Sequence, residues 1–475
     1  MNVSSQVKKW GLILLPALLA VFFQLSPSPA WIEQKLHAAQ VARQAQQPAA
    51  LARTLNALAA VQPWRSGMWL ELAELAQERG DLTAAVNAYQ QAGQWGRLSN
   101  DQRLALGRAL VQVGQPDEAL QVWGAQARMA GADEQAYAEI VSLNRALGRL
   151  PAARQAAREW KHTWPLSPVA LYQAGILDLL DQTQEARRDL EECRRLDEDF
   201  AGRVNTLLEA YPEQGGEDAY AYLKAGRALA DLGEWDLAAE AFRTSLALEP
   251  AYAEAWALLG ESRQQLGQDG YPQLQQALEL NPRSTLVQVL AALYWRRQGQ
   301  PERALAYLRQ AVTAEPEEPV WQIEMGNTFD NMGDSRLALQ YYQKAVALRP
   351  RDPVYWRLLA EFSASHGIQL HDVGLPAARQ VLALAPAQAE SYDLMGSVLL
   401  QLNDPLGAER FLHQALRKDA ELAAVHLHLG QLYLNTGNMD LAYIHLKKAV
   451  SLTIQDPASG YLADRLLVHY FPGSG

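Results

Sequence analysis

The chain has 475 residues, 49% of them apolar and 20% charged, with a formal net charge of −11. It is too long for one ordinary core and too apolar for a disordered chain, and its acidity repels phosphate backbones, which excludes nucleic acid as a general partner. Its single cysteine, Cys193, excludes an intramolecular disulfide and a cysteine metal cage, and reads as a small buried residue on a helix.

Alanine, leucine, glutamine, glutamate and arginine dominate the rest, and β-branched runs are scarce, so the composition is that of an all-α protein. At the N-terminus, Lys8 and Lys9 precede an unbroken apolar run from Trp10 to Phe23, and residues 26–30 form a Pro/Ser-rich exit. Residues 1–30 therefore read as a signal peptide, cleaved before Trp31, or as an uncleaved signal anchor. As a helix the run spans ~21–24 Å, short of a ~30 Å hydrocarbon core, which favours the signal peptide. The lysines keep the N-terminus cytoplasmic and send everything after residue 30 to the extracytoplasmic side, secreted or membrane-anchored. Later in the chain no stretch is apolar and long enough to span, so membrane contact is expected through this segment alone.

From residue 32 onward one spacing recurs. In both 222–250 and 321–350 a glycine (Gly233, Gly333) is followed by an alanine (Ala238, Ala338), an aromatic (Phe242, Tyr342) and a proline (Pro250, Pro350). Laid over the chain with a 34-residue period, repeats start near Ile32, Ser66, Asn100, Glu134 and Pro168, then near Ala219, Ala253, Thr285, Pro319, Pro353, Ala389 and Ala423. Small residues such as Gly226, Gly260, Ala292, Gly326, Ala360, Gly396 and Gly430 let the first helix approach its partner. Gly80, Gly114, Gly148, Gly233, Gly267, Gly299, Gly333, Gly367 and Gly437 are predicted to end it in a left-handed conformation. Alanines from Ala85 to Ala442 leave room where the second helix crosses, bulky residues such as Tyr89, Trp123 and Leu412 fill the space, and prolines such as Pro165 and Pro350 stop the second helix. The second helix is short around residues 270–274, and a small insertion stands at 366–374. Residues 201–218 break the period with one short helix and a Pro/Gly-rich turn at 212–216, separating two arrays (31–200 and 219–456) or interrupting one continuous solenoid. Residues 457–475 read as a capping helix and tail.

This pattern resembles the tetratricopeptide repeat (TPR), W-x2-L-G-x2-Y…A-x3-F…P, over nearly everything after residue 31. The resemblance implies an α-solenoid, a right-handed superhelix of about twelve helix-turn-helix repeats, whose first helices line a concave face that holds a peptide or partner helix. Carried onto this sequence, the partner-binding places are Arg227, Asp231, Glu261, Arg296, Arg297, Asn327, Asp330, Asn331, Arg357, Glu361 and Asn435, with Gln264, Gln265, Ser397, Gln401 and Gln431 beside them. Residues 290–360 form the expected peptide-contact zone. The equivalent places Tyr172, Ile176, Leu179 and Leu180 are apolar.

No phosphate-loop, dinucleotide, nucleophile-elbow or H-E-x-x-H motif appears, so neither catalysis nor a cofactor or metal is expected. His426 and His428, two apart on a helix, cannot easily share a metal, and with His445 read as surface histidines. Residues 185–199 read as a solvated charged face. The functional expectation is a non-catalytic protein-interaction scaffold, taking protein or peptide partners outside the cytoplasm. The alternative is a structural or oligomeric subunit of an envelope or membrane complex, self-associating through the apolar first array around 172–180, in which the groove is incidental.

Overall fold

The computed structural model describes residues 28–129, 133–181, 184–211, 218–453 and 456–471. The apolar run at 10–23 and the turn at 212–216 lie outside them. Among the described residues every regular element is helical, comprising 26 α-helices with two short 3-10 turns and one π turn. None of these helices is long and apolar enough to cross a membrane.

The chain divides into two units, Met1–Glu217 with Lys224–Leu237, and Asp218–Leu223 with Ala238–Gly475. The first holds five hairpins, from Pro29–Gln44 with Pro48–Val61 to Pro168–Asp178 with Gln184–Leu196, and then a lone helix, Ala201–Ala210. Wholly inside the second are six hairpins, from Ala253–Gln265 with Tyr271–Leu280 to Ala423–Thr436 with Met439–Ser451, and a last helix, Pro457–Tyr470. Helices Ala219–Asp231 and Trp235–Leu248 carry the division between the units. From Ser66 onward the first helix of each hairpin starts on the repeat start read from the sequence, except that Gln135 replaces Glu134.

The hairpins are set by local backbone chemistry. All nine turn glycines predicted to be left-handed have positive φ, between 64° and 80°. At Gly333, the Gly333 N–H donates to the Asp330 carbonyl at 2.8 Å and the Asp334 N–H to the Phe329 carbonyl at 2.9 Å, which closes the helix end. The Asp334 carboxylate then accepts from the Leu337 N–H at 3.0 Å and opens the next helix. Two hairpins use other residues at this place, Gln46 (φ 51°) and Asn403 (φ 59°), and neither was singled out from the sequence.

Inside each hairpin the small residues sit where crowding requires them. A Cβ on Gly396 would stand 2.6 Å from the Leu412 side chain, and one on Gly430 2.6 Å from Leu446. The crossing alanines Ala85, Ala119, Ala153, Ala238, Ala304, Ala338, Ala408 and Ala442 are all fully buried. The short hairpin is held by backbone contact, because a Cβ on Gly270 would lie 2.0 Å from the Gly260 carbonyl oxygen. The insertion forms the π turn Leu370–Gly374, entered through left-handed Gln369. On the last helix the exposed side chains include Tyr461, Leu462 and Val468, so it presents no uniformly polar cap.

These two kinds of glycine separate experimentally. Gly396→Val is expected to cost about 1–3 kcal/mol by overpacking, and Gly333→Ala about 1–2 kcal/mol by left-handed strain alone. Urea-unfolding midpoints of the two variants at unchanged slope check both.

Candidate functional site

In the second unit successive first helices are tied side by side by polar pairs. Arg297 on Thr285–Arg297 donates from both terminal nitrogens to the Glu261 carboxylate on Ala253–Gln265, each at 2.7 Å. Its neighbour Arg296 donates to Glu324 on Pro319–Asn331 at 2.6 Å, and Asn327 donates to the same carboxylate at 3.3 Å. The Tyr342 hydroxyl donates to the Asn327 carbonyl oxygen. Asp330 faces His366 Nε2 at 2.9 Å, linking to Pro353–His366. Arg357 and Glu361 form a looser pair at 3.5 Å, while Asn331 and Asn435 are exposed.

Thus the structure pairs Arg297 with Glu261, joins Arg296 and Asn327 through Glu324, and sets Asp330 against His366, so both arginines have carboxylate partners within the chain. The partner roles of Glu324, Tyr342 and His366 were missed in the sequence, since their pairing depends on which helices become neighbours. Arg227 and Asp231 are exposed and belong to the first unit. Glu261 is only 8% exposed, so Arg297→Ala strands a nearly buried carboxylate and is expected to cost about 1–3 kcal/mol. This cost is small for a buried pair because Arg297 itself is 39% exposed. Thermal unfolding of this variant beside Arg297→Lys reads the effect; an unchanged midpoint in Arg297→Ala contradicts it.

His426, His428 and His445, read as surface residues, are instead buried or half-buried. His426 is buried, its Nδ1 lies 3.0 Å from His445 Nδ1, and its Nε2 lies 3.1 Å from the Ala420 carbonyl. His445 stacks on Tyr433, whose hydroxyl donates to Glu409 at 2.9 Å and lies 3.3 Å from His413 Nε2. Burial, then the charges of His426 and His413, push His445 down to about 4, and burial also lowers His426. His428 behaves oppositely: burial works against its charge, but Asp393 at 2.8 Å outweighs it and raises the pKa. For His426 and His445 the unfolded chain takes up protons first. Their contribution is therefore complete above the ordinary histidine pKa of ~6.5, and is lost as the pH falls from there toward about 4. His445→Phe keeps a ring on Tyr433 and is expected to lose less stability between pH 7 and pH 4 than the parent chain in urea titrations.

In the first unit the apolar stretch read as a contact surface is internal: Tyr172, Ile176, Leu179 and Leu180 are all buried. Tyr172 is covered by Phe200, with ring centroids 5.1 Å apart, and by the Arg203 guanidinium at 5.9 Å. These four side chains therefore offer no exposed apolar surface in this fold. The charged stretch 185–199 is also partly internal. Asp189 is buried and accepts from Lys161 at 2.7 Å, and Cys193 is buried, which pushes its thiol up to about 11.

The first unit repeats the lateral pairing and departs from it once. Arg43 pairs with Glu71 at 2.7 Å, 28 residues on, the same separation as Arg296 and Glu324. Arg145 stands at the equivalent place, but the residue 28 further on is Gln173, whose carbonyl oxygen accepts at 3.3 Å. Its charge is met instead by Asp236, at 2.6 and 2.8 Å, and by Glu234, at 2.5 Å. Burial alone lowers the Arg145 pKa, and the two carboxylates more than reverse that. The Tyr172 hydroxyl donates to Glu234 at 3.4 Å.

Two family models described as tetratricopeptide repeat match the chain, one at residues 104–168, 223–269, 263–319 and 394–458, the other at 296–362. Together they cover more than half of it. Among solved structures, the chain is similar to the APC/C hetero-tetramer Cut9-Hcn1, with 15% identity over 92% of this chain and 96% of that one and a TM-score of 0.41. Yeast Tom70 is similar at 13% identity, covering 93% and 96%, with a TM-score of 0.41. MamA from Desulfovibrio magneticus RS-1 (its residue 41 to the end) is 25% identical over 36% of this chain and 96% of its own, with a TM-score of 0.31. No curated protein matches the chain.

Proposed function

The chain belongs to the tetratricopeptide repeat family, and on that premise we propose that it is a non-catalytic scaffold which binds peptide or protein partners on the face formed by its first helices. The observation that carries this reading is the face of residues 285–366. There Arg296, Asn327, Asp330 and Arg357 stand on three consecutive first helices, and exposed Asn331 lies among them. Side-chain amides donate to and accept from an extended peptide backbone, and the paired arginines are held in fixed positions beside them. Glu261 and Glu324 compete with any carboxylate a partner brings, so recognition here rests on backbone and amide contacts rather than on capture of a terminal carboxylate.

The same reading places the scaffold outside the cytoplasm, on the strength of Lys8 and Lys9 before the apolar run 10–23. That segment supplies any membrane contact, and the repeats form arrays at 31–200 and 219–456 about the break at 201–218.

Photo-crosslinking in the native cell tests the groove, with the crosslinker at Asn331 and a control at exposed Gln343 on the second helix Ser335–Leu348. The expected outcome is an adduct with another protein from Asn331 only. Equal labelling from both positions, or adducts only between copies of this chain, transfers the assignment to an oligomeric structural subunit.

A further inference from the structure

In the first unit, second helices end and the next first helices begin along one edge, and three tryptophans stand there beside basic residues. Trp31 lies in the opening turn of Pro29–Gln44, with the Lys35 ammonium 5.6 Å from its ring centroid. Trp64 and Arg65 occupy the turn between Pro48–Val61 and Ser66–Glu78, which the Trp69 indole N–H braces by donating to the Pro63 carbonyl at 3.0 Å. Trp95 ends Leu82–Trp95, and Arg97 follows in the turn to Asn100–Gln112. The second turn packs on the first, because a Cβ on Gly96 would stand 2.6 Å from the Ser66 hydroxyl oxygen. Arg65 lines a cleft with Leu36 and Gln40 of the first helix, so the edge is continuous across the first two hairpins.

Trp64 is 57% exposed and Trp95 49%, so neither belongs to the core. Lys35, Arg65 and Arg97 pair with no carboxylate among the described residues, unlike Arg43, which Glu71 holds. The equivalent turns of the second unit, residues 281–284, 315–318, 349–352, 385–388 and 419–422, contain no tryptophan. Charge is skewed toward the same end: residues 31–70 hold four cations to one acid, in a chain with 42 Lys and Arg against 53 Asp and Glu. The first described residue, Ser28, leads into this edge and follows closely on the apolar run 10–23.

We infer that this edge of the first two hairpins lies on an anionic lipid bilayer, with Trp31, Trp64 and Trp95 at the level of the headgroups and Lys35, Arg65 and Arg97 facing lipid phosphates. Indoles favour that interface because the ring is apolar and its N–H polar, and each cation beside an anionic surface adds about fivefold in affinity. The acidic remainder of the chain is repelled by the same surface, so the basic edge is the one that approaches. This placement rests on the reading of 10–23 as a membrane-contacting run, and extends that contact from a tether to a face of the repeats.

The test uses the full chain with an NBD fluorophore on Gln94→Cys, beside Trp95, or on Gln115→Cys, in an exposed turn at the opposite edge. Cys193 is buried and leaves labelling to the new thiol. Vesicles of phosphatidylcholine with about one third phosphatidylglycerol carry bromine on their acyl chains, and brominated phosphatidylcholine alone is the comparison. The expected outcome is quenching at position 94 and none at 115, about threefold or more stronger with phosphatidylglycerol, and lost in Trp64→Ser with Trp95→Ser. If that variant does not fold, Lys35→Gln with Arg65→Gln and Arg97→Gln takes its place with the same expected loss. No quenching at 94, equal quenching at both positions, or quenching indifferent to lipid charge or to the variants overturns the inference. A signal that appears without vesicles and grows with chain concentration also overturns it, in favour of a second copy. Sedimentation reads the tether separately. A chain that pellets with phosphatidylcholine vesicles but is not quenched at 94 keeps the run and loses the edge. Quenching at 94 in a chain that pellets only when phosphatidylglycerol is present keeps the edge and loses the run.

Discussion

The close approach of the two helices in each hairpin is the constraint from which the other contacts follow. It depends on a glycine or alanine on the first helix facing a bulky residue on the second, as Gly396 faces Leu412, Gly430 faces Leu446 and Gly107 faces Trp123. At these places a single methyl group would fall inside van der Waals contact, so the interhelix distance is fixed by the absence of a side chain. The fully buried alanines one crossing further on hold the second contact, and the turn glycine fixes the angle at which the chain returns. Hairpins so alike must stack alike, and that regularity turns a 28-residue sequence separation into a spatial neighbour.

Lateral polar pairing is the consequence. Arg43 with Glu71 and Arg296 with Glu324 use one register on the first-helix face, and Arg297 reaches back to Glu261 as Arg296 reaches forward. Such pairs add little when fully solvated, but Glu261 and the Arg296–Glu324 pair are largely buried, where loss of one partner leaves a charge unmet. They therefore act as positioning elements for the groove as much as lining for it. Arg145 shows what happens when the register lacks its acid: the same geometry recruits carboxylates from the start of the distant helix Trp235–Leu248, and the segment Lys224–Leu237 packs with the first unit accordingly.

Departures from the repeat concentrate polar chemistry. The insertion that ends in the π turn Leu370–Gly374 begins at His366, which stacks on Phe362 and meets Asp330. The histidine pair His426–His445 joins a first helix to its second helix and makes that hairpin sensitive to acid, while His428 with Asp393 works in the other direction.

The sequence by itself determined the hairpins: where first helices begin, which glycines turn left-handed, and which alanines vanish from the surface. Each of these is a local requirement of backbone or steric size, so a residue type at a fixed spacing carries it. Asn403 and Gln46 are not legible as turn residues because a left-handed residue need not be glycine, nor is the burial of Tyr172, because its cover, Phe200 and Arg203, stands just before and just inside the break in the period. The candidate groove residues were legible as positions, yet their states were not. Only tertiary structure decided that Arg296 and Arg297 face Glu324 and Glu261, that His426 meets His445, and that Arg145 holds Glu234 and Asp236. A charge announces its sign in sequence, but its partner is chosen by distance in space, which stacking alone supplies.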